Sequence, residues 1–281
     1  MVRSLWSAAT GMNAQQTNVD TISNNLANVN TTGYKAQGAQ FKSLLYQELQ
    51  TVTTTTNGNP KPVTSQVGLG TRTSAINQYF KQGSFLNNDN PAALAISGDG
   101  FFAYQDTDGT TPIYTRNGNF TWALNGNNGG LVLTTAEGNK VLGINNQPIV
   151  VTGNDRVASR ITIDAEGKIY YPNAEGVPEQ VNNMQIGLWQ FTNREGLERV
   201  GSASWKVTTA SGAARPESAQ GGGAVAGIVR STLAQGYLEG SNINVATEMV
   251  NLIVAQRAYE MNSTAIQTTD EMMQTANSLK R

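Results

Sequence analysis

The side chains that most often do chemistry in proteins are missing from this sequence or stand in turns. The chain of 281 residues has no His and no Cys, which excludes imidazole base catalysis, His-ligated metals, thiolate nucleophiles and disulfides. Carboxylates remain, and Asp99, Asp164 and Glu166 could serve as the paired acids of a cell-wall hydrolase. Each stands in a Gly-containing turn, where Asp and Glu are ordinary turn residues. We therefore predict no catalytic residue and no enzyme.

Two short motifs resemble binding loops but are incomplete. Asp106-Thr107-Asp108-Gly109 begins like a calcium loop, yet Thr110 stands at the next acidic position and no Glu closes a twelve-residue loop. Gly98 and Gly100 lack the third glycine of a dinucleotide loop, and the sequence after them has the pattern of a strand where that loop requires a helix. We predict neither a metal nor a cofactor.

The composition excludes several classes of partner. Nineteen Lys and Arg stand against 20 Asp and Glu, so the chain lacks the basic surplus needed for nucleic acid. Its longest apolar runs are far shorter than a membrane span, and no apolar run after Arg3 indicates a cleaved signal. Asn, Gln, Ser and Thr make up 97 of the 281 residues. Such a surface can be buried against another protein without stranding charge.

The elements that must position any site begin with a helix at the N-terminus. Apolar residues recur there in a heptad pattern with one polar member, Gln15. The seam consists of Leu5, Ala8, Met12, Gln15, Val19, Ile22, Leu26 and Val29. Only Arg3 and Asp20 are charged before Gly33, whereas a solvated helix is normally rich in Lys and Glu. This helix is expected to be buried on more than one side.

A second heptad pattern occupies the C-terminus, where Ser241 and Asn242 are candidate N-caps. Its seam consists of Val245, Met249, Leu252, Gln256, Tyr259, Ile266 and Met273, and Ile253 widens the stripe. Gln15 and Gln256 either fix the register of the seam or make simple backbone contacts. The simplest solution is an antiparallel pair of the two helices, and the alternative is two ordinary helices of one globular core.

Between the helices the hydrophobic period changes to two. Asn117-Gly118, Ala136-Glu137-Gly138 and Ala165-Glu166-Gly167 are predicted hairpin turns, and residues 184–191 are predicted to form a further strand. Short strands with Gly, Asn and Asp turns are typical of an antiparallel all-β domain. The fold class is therefore α+β, with a terminal helix pair, a coiled coil, and a central all-β domain.

The same patterns suggest five segments. We predict a coiled-coil helix over residues 1–33, an extended connecting region over 34–84, a β domain over 85–210, a return linker over 211–240 and a coiled-coil helix over 241–281. The threonine-rich segment 51–73 is interpreted as a brace that becomes ordered along neighbouring subunits, and the alternative is a slack tether.

Two long motifs resemble signatures of the bacterial flagellar rod and hook protein family. The run from Ser23 to Lys35 is similar to the N-terminal signature of the family, and the runs 241–250 and 256–260 are similar to its C-terminal signature. Residues 98–102 and 114–120 resemble motifs of its β domain. The match spans nearly the whole chain, and its opening residues and threonine-rich joint are most similar to the branch that forms the distal rod.

The resemblance implies a structural subunit of a helical, tubular polymer in the flagellar basal body. Members are exported unfolded by the type III flagellar apparatus without a cleaved signal, and the rod transmits torque from motor to hook. The implied partners are copies of the same chain, proximal rod proteins, the hook protein and the bushing ring proteins. In a bacterium with an outer membrane, the implied location is the periplasmic part of the rod.

Other functions remain open at this stage. Within the family, the proximal rod and hook branches are the alternatives. Outside it, a cell-wall hydrolase would need convergent carboxylates, and a surface adhesion module would more naturally have a cleavable signal and no terminal helix pair.

Overall fold

The computed structural model describes residues 2–50, 65–106, 109, 111–125, 129–152, 157–173, 176–201, 203–217, 225–227 and 229–279. It confirms the α+β class, with one helix near each end and strands between them. The chain divides into two compact units. Unit 1 consists of Met1–Ala27, Gln37–Gln78 and Asn244–Arg281, and unit 2 of Asn28–Ala36 and Tyr79–Ile243. Most of the predicted brace, residues 51–64, lies outside the described residues.

Unit 1 contains two helices and two antiparallel ribbons. The helices are α1 (Val2–Ala27) and α2 (Val245–Ser278). The strands are β1 (Gln37–Ser43), β2 (Tyr46–Gln50), β3 (Ser65–Gly68) and β4 (Thr71–Gln78). β1 pairs with β4, β2 pairs with β3, and α1 packs against both β1 and β4.

The helix pair is antiparallel, as the heptads predict. Gly11 of α1 faces Asn262 of α2, and eight residues further along α1, Val19 lines a groove with Gln256 and Tyr259. Positions that rise along α1 therefore meet positions that fall along α2. A Cβ atom at position 11 would lie 2.9 Å from the Asn262 side chain, so the only glycine of α1 permits a close approach of the two backbones.

The cap of α2 differs from the predicted one. Asn244, not Ser241 or Asn242, is the N-cap, and its side chain accepts a hydrogen bond of 3.3 Å from the Thr247 amide. Asn242 instead bonds within unit 2, because its Oδ1 accepts from the amide of Ala36 and its Nδ2 donates to the carbonyl of Tyr79.

Unit 2 consists of short antiparallel strands. They are β5 (Phe85–Asn87), β6 (Leu94–Ser97), β7 (Phe101–Gln105), β8 (Pro112–Thr115), β9 (Phe120–Leu124), β10 (Leu131–Thr135), β11 (Val150–Val151), β12 (Thr162–Ile163), β13 (Lys168–Pro172), β14 (Pro178–Gln185), β15 (Leu188–Gln190), β16 (Glu198–Gly201), β17 (Ser204–Lys206), β18 (Arg215–Pro216), β19 (Thr232–Gln235) and β20 (Tyr237–Glu239). The largest sheet has the order β16-β17-β8-β7-β15-β18, and β9–β11 and β12–β14 form three-stranded sheets. The remaining pairs are β19 with β6 and β20 with β5.

Two buried clusters form the core of unit 2. One is largely aliphatic and includes Phe102, Leu133 and Ile163. The other is aromatic: the ring of Tyr114 lies edge to face against that of Phe191, with centroids 4.9 Å apart. Such ring pairs stabilise a protein by more than the burial of their surface alone. Unit 2 therefore has an ordinary domain core.

The structure contradicts the hairpin predicted at Asn117-Gly118. β8 pairs with β7 and β17, whereas β9 pairs with β10, so this turn connects two different sheets. A type I′ hairpin needs positive φ at both central residues, and neither residue has it. The turn packs locally instead: the Gly118 carbonyl accepts from the amide of Leu94, and Asn117 Oδ1 accepts from the hydroxyl of Thr32.

The other two predicted hairpins are confirmed. Thr134 bridges to Lys140 around the first turn, and β12 pairs with β13 around the second, where Gly167 has φ +83°. The single strand predicted over 184–191 is instead two strands, β14 and β15, in different sheets. The predicted connecting segments 34–84 and 211–240 contain strands in their described parts, and the five segment boundaries stay predictions.

Candidate functional site

The acidic residues considered for hydrolysis are engaged in local contacts. Asp99 pairs with Arg194, and the Asp164 carboxylate accepts a 2.7 Å hydrogen bond from the Ala165 amide in its own turn. Glu166 lies 2.7 Å from the Lys168 ammonium, whose hydrogen bond lowers the pKa of that carboxyl. A hydrolase needs a general acid with a raised pKa, so Glu166 is perturbed in the wrong direction.

The described residues contain no group of three or more acidic side chains able to hold a metal ion. Asp106, at the start of the calcium-like motif, pairs with Lys206 at 3.1 Å. Most of the rest of that motif lies outside the described residues. Within the described helices, none is long and apolar enough to cross a membrane.

The predicted interface residues lie on the helix pair, apart from Val29. In α1 the predicted seam faces inward: Ile22 is buried, and Leu5, Met12, Gln15, Val19 and Leu26 are half-buried. Val29 lies beyond the end of α1, in unit 2, and is half-buried. The side chains that α1 buries are otherwise small or polar, namely Ala8, Ala14, Thr21 and Asn25. The assignment of these positions to a helix-pair and polymer interface remains a prediction.

The seam of α2 divides into two groups. Leu252, Ile266 and Met273 are half-buried, whereas Val245, Met249, Gln256 and Tyr259 are exposed. Between the helices, Gln16, Val19, Gln256, Tyr259 and Glu260 line a groove of about 410 Å³. The pair alone therefore leaves part of its predicted seam open to solvent.

A second apolar stripe runs along α2, and the heptad analysis did not identify it. Val250, Val254, Met261 and Met272 are each more than half exposed. Their spacings of four, seven and eleven residues place them on one helix face. At about 100° per residue this face lies roughly opposite the face that contains Leu252 and Ile266. We call these four residues the outward stripe.

The outward stripe is apolar without being buried in this chain. Arg257 and Glu260, between Val254 and Met261 in the sequence, pair with each other at 3.0 Å on the helix surface. Apolar residues are also exposed on the β1–β4 and β2–β3 ribbons, including Phe41, Tyr46 and Leu49. Exposed apolar patches that extend over several elements mark interaction sites.

Asn25 is a further residue whose role the sequence did not reveal. It is fully buried, its Nδ2 donates to the Gln37 carbonyl at 2.7 Å, and its Oδ1 accepts from the Gln37 amide at 2.9 Å. These two bonds fix the start of β1 beside the end of α1. Only its place in the Asn-rich signature hinted at such a role.

The end of the N-terminal signature joins a buried ion cluster in unit 2. Lys35 Nζ donates to Glu239 Oε1 at 2.6 Å and to the Lys81 carbonyl at 2.9 Å, and Arg116 Nη1 donates to Glu239 Oε2 at 3.2 Å. All three ionic side chains are fully buried. Burial outweighs the attraction of Glu239 and lowers the pKa of Lys35 to about 8.

Comparison with known proteins gives matches along the chain. Residues 5–35 match the family model of the flagella basal body rod protein, residues 95–171 that of the flagellar hook protein FlgE/F/G D1 domain, and residues 234–279 that of the flagellar basal body rod FlgEFG protein C-terminal.

Individual relatives match over the full length. The chain is 42% identical to the flagellar basal-body rod protein FlgG of Borreliella burgdorferi over 100% of both chains. It is 38% identical to the FlgG of Agrobacterium fabrum over 96% of this chain and 97% of the relative. It is also 42% identical to the flagellar hook protein FlgE of Helicobacter mustelae, over 47% of this chain and 30% of that protein.

Proposed function

The chain belongs to the family of flagellar basal-body rod proteins and is a structural subunit of the flagellar rod, and we propose that its copies polymerise through the outward stripe of α2. The same membership implies a location in the flagellar basal body and assembly with other rod and hook proteins. The full-length similarity to FlgG chains supports a place in the distal part of the rod.

The observation that carries this proposal is the two-faced character of α2. One face packs on α1, and the outward stripe on the opposite side offers Val250, Val254, Met261 and Met272 to solvent. Burying four such side chains contributes on the order of 5–10 kcal/mol before the entropic cost of association. A helix with apolar residues on two opposite faces is typically buried between two partners. The first partner of α2 is α1, and a neighbouring copy of the chain in the polymer would be the second.

The proposal also covers the interface residues, the partners and the location of the subunit. We assign the predicted helix-pair seam to the polymer interface as well, because seam residues such as Met249 and Tyr259 are exposed in the single chain. Proximal rod proteins, the hook protein, the bushing ring proteins and the flagellar export apparatus are the proposed partners. The proposed place is the periplasmic part of the rod where an outer membrane exists, after export without a cleaved signal.

We also propose that the subunit has no enzymatic activity. The local contacts of Asp99, Asp164 and Glu166 support this, since a neighbouring cation or backbone amide engages each of the three carboxylates.

Electron microscopy of concentrated full-length protein tests the polymer interface. Val254→Asp would place a carboxylate on the outward stripe, where burial without a partner costs several kcal/mol. Gln267→Asp is the matched control, because Gln267 is an exposed polar residue of the same helix. We expect tubes from the parent and from the control and none from Val254→Asp, with equal helix content by circular dichroism at low concentration. Normal tubes from Val254→Asp would refute the interface.

A further inference from the structure

Residues 231–243 cross unit 2 as its last segment, and we call this segment the strap. Its strands β19 and β20 pair with β6 and β5, and Leu233 enters the aliphatic core. At its start, the Ser231 amide and hydroxyl donate to the buried carboxylate of Glu217 at 2.8 and 2.9 Å. Without the strap, β5 and β6 would each lose a strand partner and the core would lose an apolar side chain.

Glu239 connects the strap to three other segments of unit 2. Its carboxylate accepts from Lys35, Arg116 and the amide of Gly83, and its carbonyl accepts from the amide of Gly33. One side chain thus connects segments that lie 204, 156 and 123 residues away in sequence. Glu239 is fully buried together with both cations.

The charges of this cluster do not cancel. Two cations share one carboxylate, Arg116 opposes the charge of Lys35, and Arg116 Nε is buried without a hydrogen-bond partner. Two cations held together in a low-dielectric interior repel strongly, and removing the counter-charge of a buried pair is far more costly than removing an exposed one. In the absence of Glu239 the cluster therefore opposes closure of unit 2.

We propose that the strap is a charge-controlled closing element: Lys35 and Arg116 hold unit 2 open until the strap supplies Glu239. A chain is synthesised from its N-terminus, so both cations are present before the carboxylate that neutralises them. Unit 2 then closes late, when its last segment arrives. This last consequence rests on the proposed function: in an exported subunit, the delay keeps the chain unfolded for longer.

Thermolysin digestion of the dilute full-length monomer tests the proposal. Glu239→Gln keeps the shape of the side chain but removes the carboxylate that Lys35 and Arg116 share. We expect cleavage within unit 2 to be at least about 100-fold faster than in the parent, because cleavage follows the open population. Glu198→Gln is the control, since Glu198 is an exposed acid of the same unit, and we expect it to be cleaved at the parental rate.

The double variant Lys35→Met/Glu239→Gln separates charge from packing. It removes one of the two repelling cations, so we expect cleavage at least about tenfold slower than in Glu239→Gln alone. Hydrogen exchange of the Glu239→Gln variant should rise together in β5, β6, β19 and β20. Parental cleavage by Glu239→Gln, a double variant cleaved as fast as the single one, or exchange that rises elsewhere would each overturn the proposal. Polymer formation is not measured in this experiment, so its outcome is independent of the proposed assembly.

Discussion

Units 1 and 2 contain a similar fraction of apolar residues but bury very different numbers of them. Among the described residues, 34 of the 38 fully buried apolar side chains lie in unit 2. The four in unit 1 are Ala8, Ala14, Ile22 and Ala255, and only Ile22 is large. Conversely, unit 1 holds 16 of the 26 large apolar side chains that are exposed. Unit 2 therefore has an apolar core of its own, and we propose that neighbouring subunits complete unit 1.

Helix energetics explain why this difference matters. A long helix with a narrow apolar stripe gains most of its stability from tertiary packing. In unit 1 the inward faces of α1 and α2 bury mainly small or polar side chains, and the four side chains of the outward stripe are more than half exposed. We propose that the remaining contacts come from other subunits. Folding of unit 1 and assembly are therefore expected to be coupled.

The largest expected effect is that of Ile22→Asp in α1. Ile22 is the only large apolar side chain that unit 1 fully buries among the described residues, and an unpaired carboxylate there costs several kcal/mol per subunit. We expect sedimentation of concentrated protein to show no polymer, while the thermal unfolding of unit 2 is unchanged. The control is Ser23→Asp, the exposed neighbouring position, which should assemble. A lower unfolding temperature of unit 2 in Ile22→Asp would contradict the inference that the two units are stabilised separately.

A core truncation in unit 2 should have the opposite effect to that of Ile22→Asp, because it should destabilise the monomer. Leu133 is fully buried in the aliphatic cluster, so Leu133→Ala is expected to lower the free energy of unfolding of the monomer by about 2–5 kcal/mol. Urea denaturation followed by tryptophan fluorescence measures this loss. Ile22→Ala serves as the comparison and should leave the same transition in place. Equal losses in the two variants would mean that the units share one folding transition.

The buried Lys35 makes the stability of unit 2 depend on pH. Its pKa is lowered from 10.5 to about 8, so between these values the unfolded chain binds more protons, and stability rises with pH. Lys35 is faced by Glu239, Arg116 and Arg194. We expect the free energy of unfolding to rise by about 2 kcal/mol between about pH 7 and pH 9.5. Lys35→Met should remove this slope, and an unchanged slope in that variant would show that another group titrates.

The smallest expected effect is at the surface pair of Glu166 and Lys168. Their side chains are partly exposed, by 40% and 32%, and surface ion pairs contribute little to stability. Glu166→Gln should therefore leave the thermal unfolding midpoint, polymer formation and the protease resistance of unit 2 at parental levels. Release of soluble fragments from purified peptidoglycan by the parent chain, lost in Glu166→Gln, would instead support the hydrolase alternative.

The sequence predicted the parts of the fold that depend on local periodicity. The heptads of α1 and α2 and the turns near Gly138 and Gly167 are short-range patterns, and all four appear in the structure. The hairpin predicted at Asn117-Gly118 was wrong. The conformation of this turn depends on its packing against Leu94, whose amide donates a hydrogen bond to the Gly118 carbonyl. Asn244 was missed as the cap because Asn242, the more obvious candidate, is held by partners distant in sequence.

Only the side of the candidate site that faces the helix pair, the heptad seam, could be predicted from the sequence. A heptad search identifies one seam for each helix, and Leu252 and Ile266 are found by it. The outward stripe lies on the opposite face of the same helix, where Val250 and Val254 look like additions to an already apolar stretch. The ion cluster was beyond prediction, because Lys35 and Glu239 are 204 residues apart and no local pattern pairs them.

Hydrogen exchange measured by mass spectrometry on a verified monomer and on the polymer tests the central claim most directly. The account predicts strong protection of the unit 2 core, including β7, β10 and β15, in both states. It predicts rapid exchange of α1 and α2 in the monomer and strong protection of both helices in the polymer. Helix amides as protected in the monomer as those of unit 2 would contradict the claim that neighbouring subunits complete unit 1.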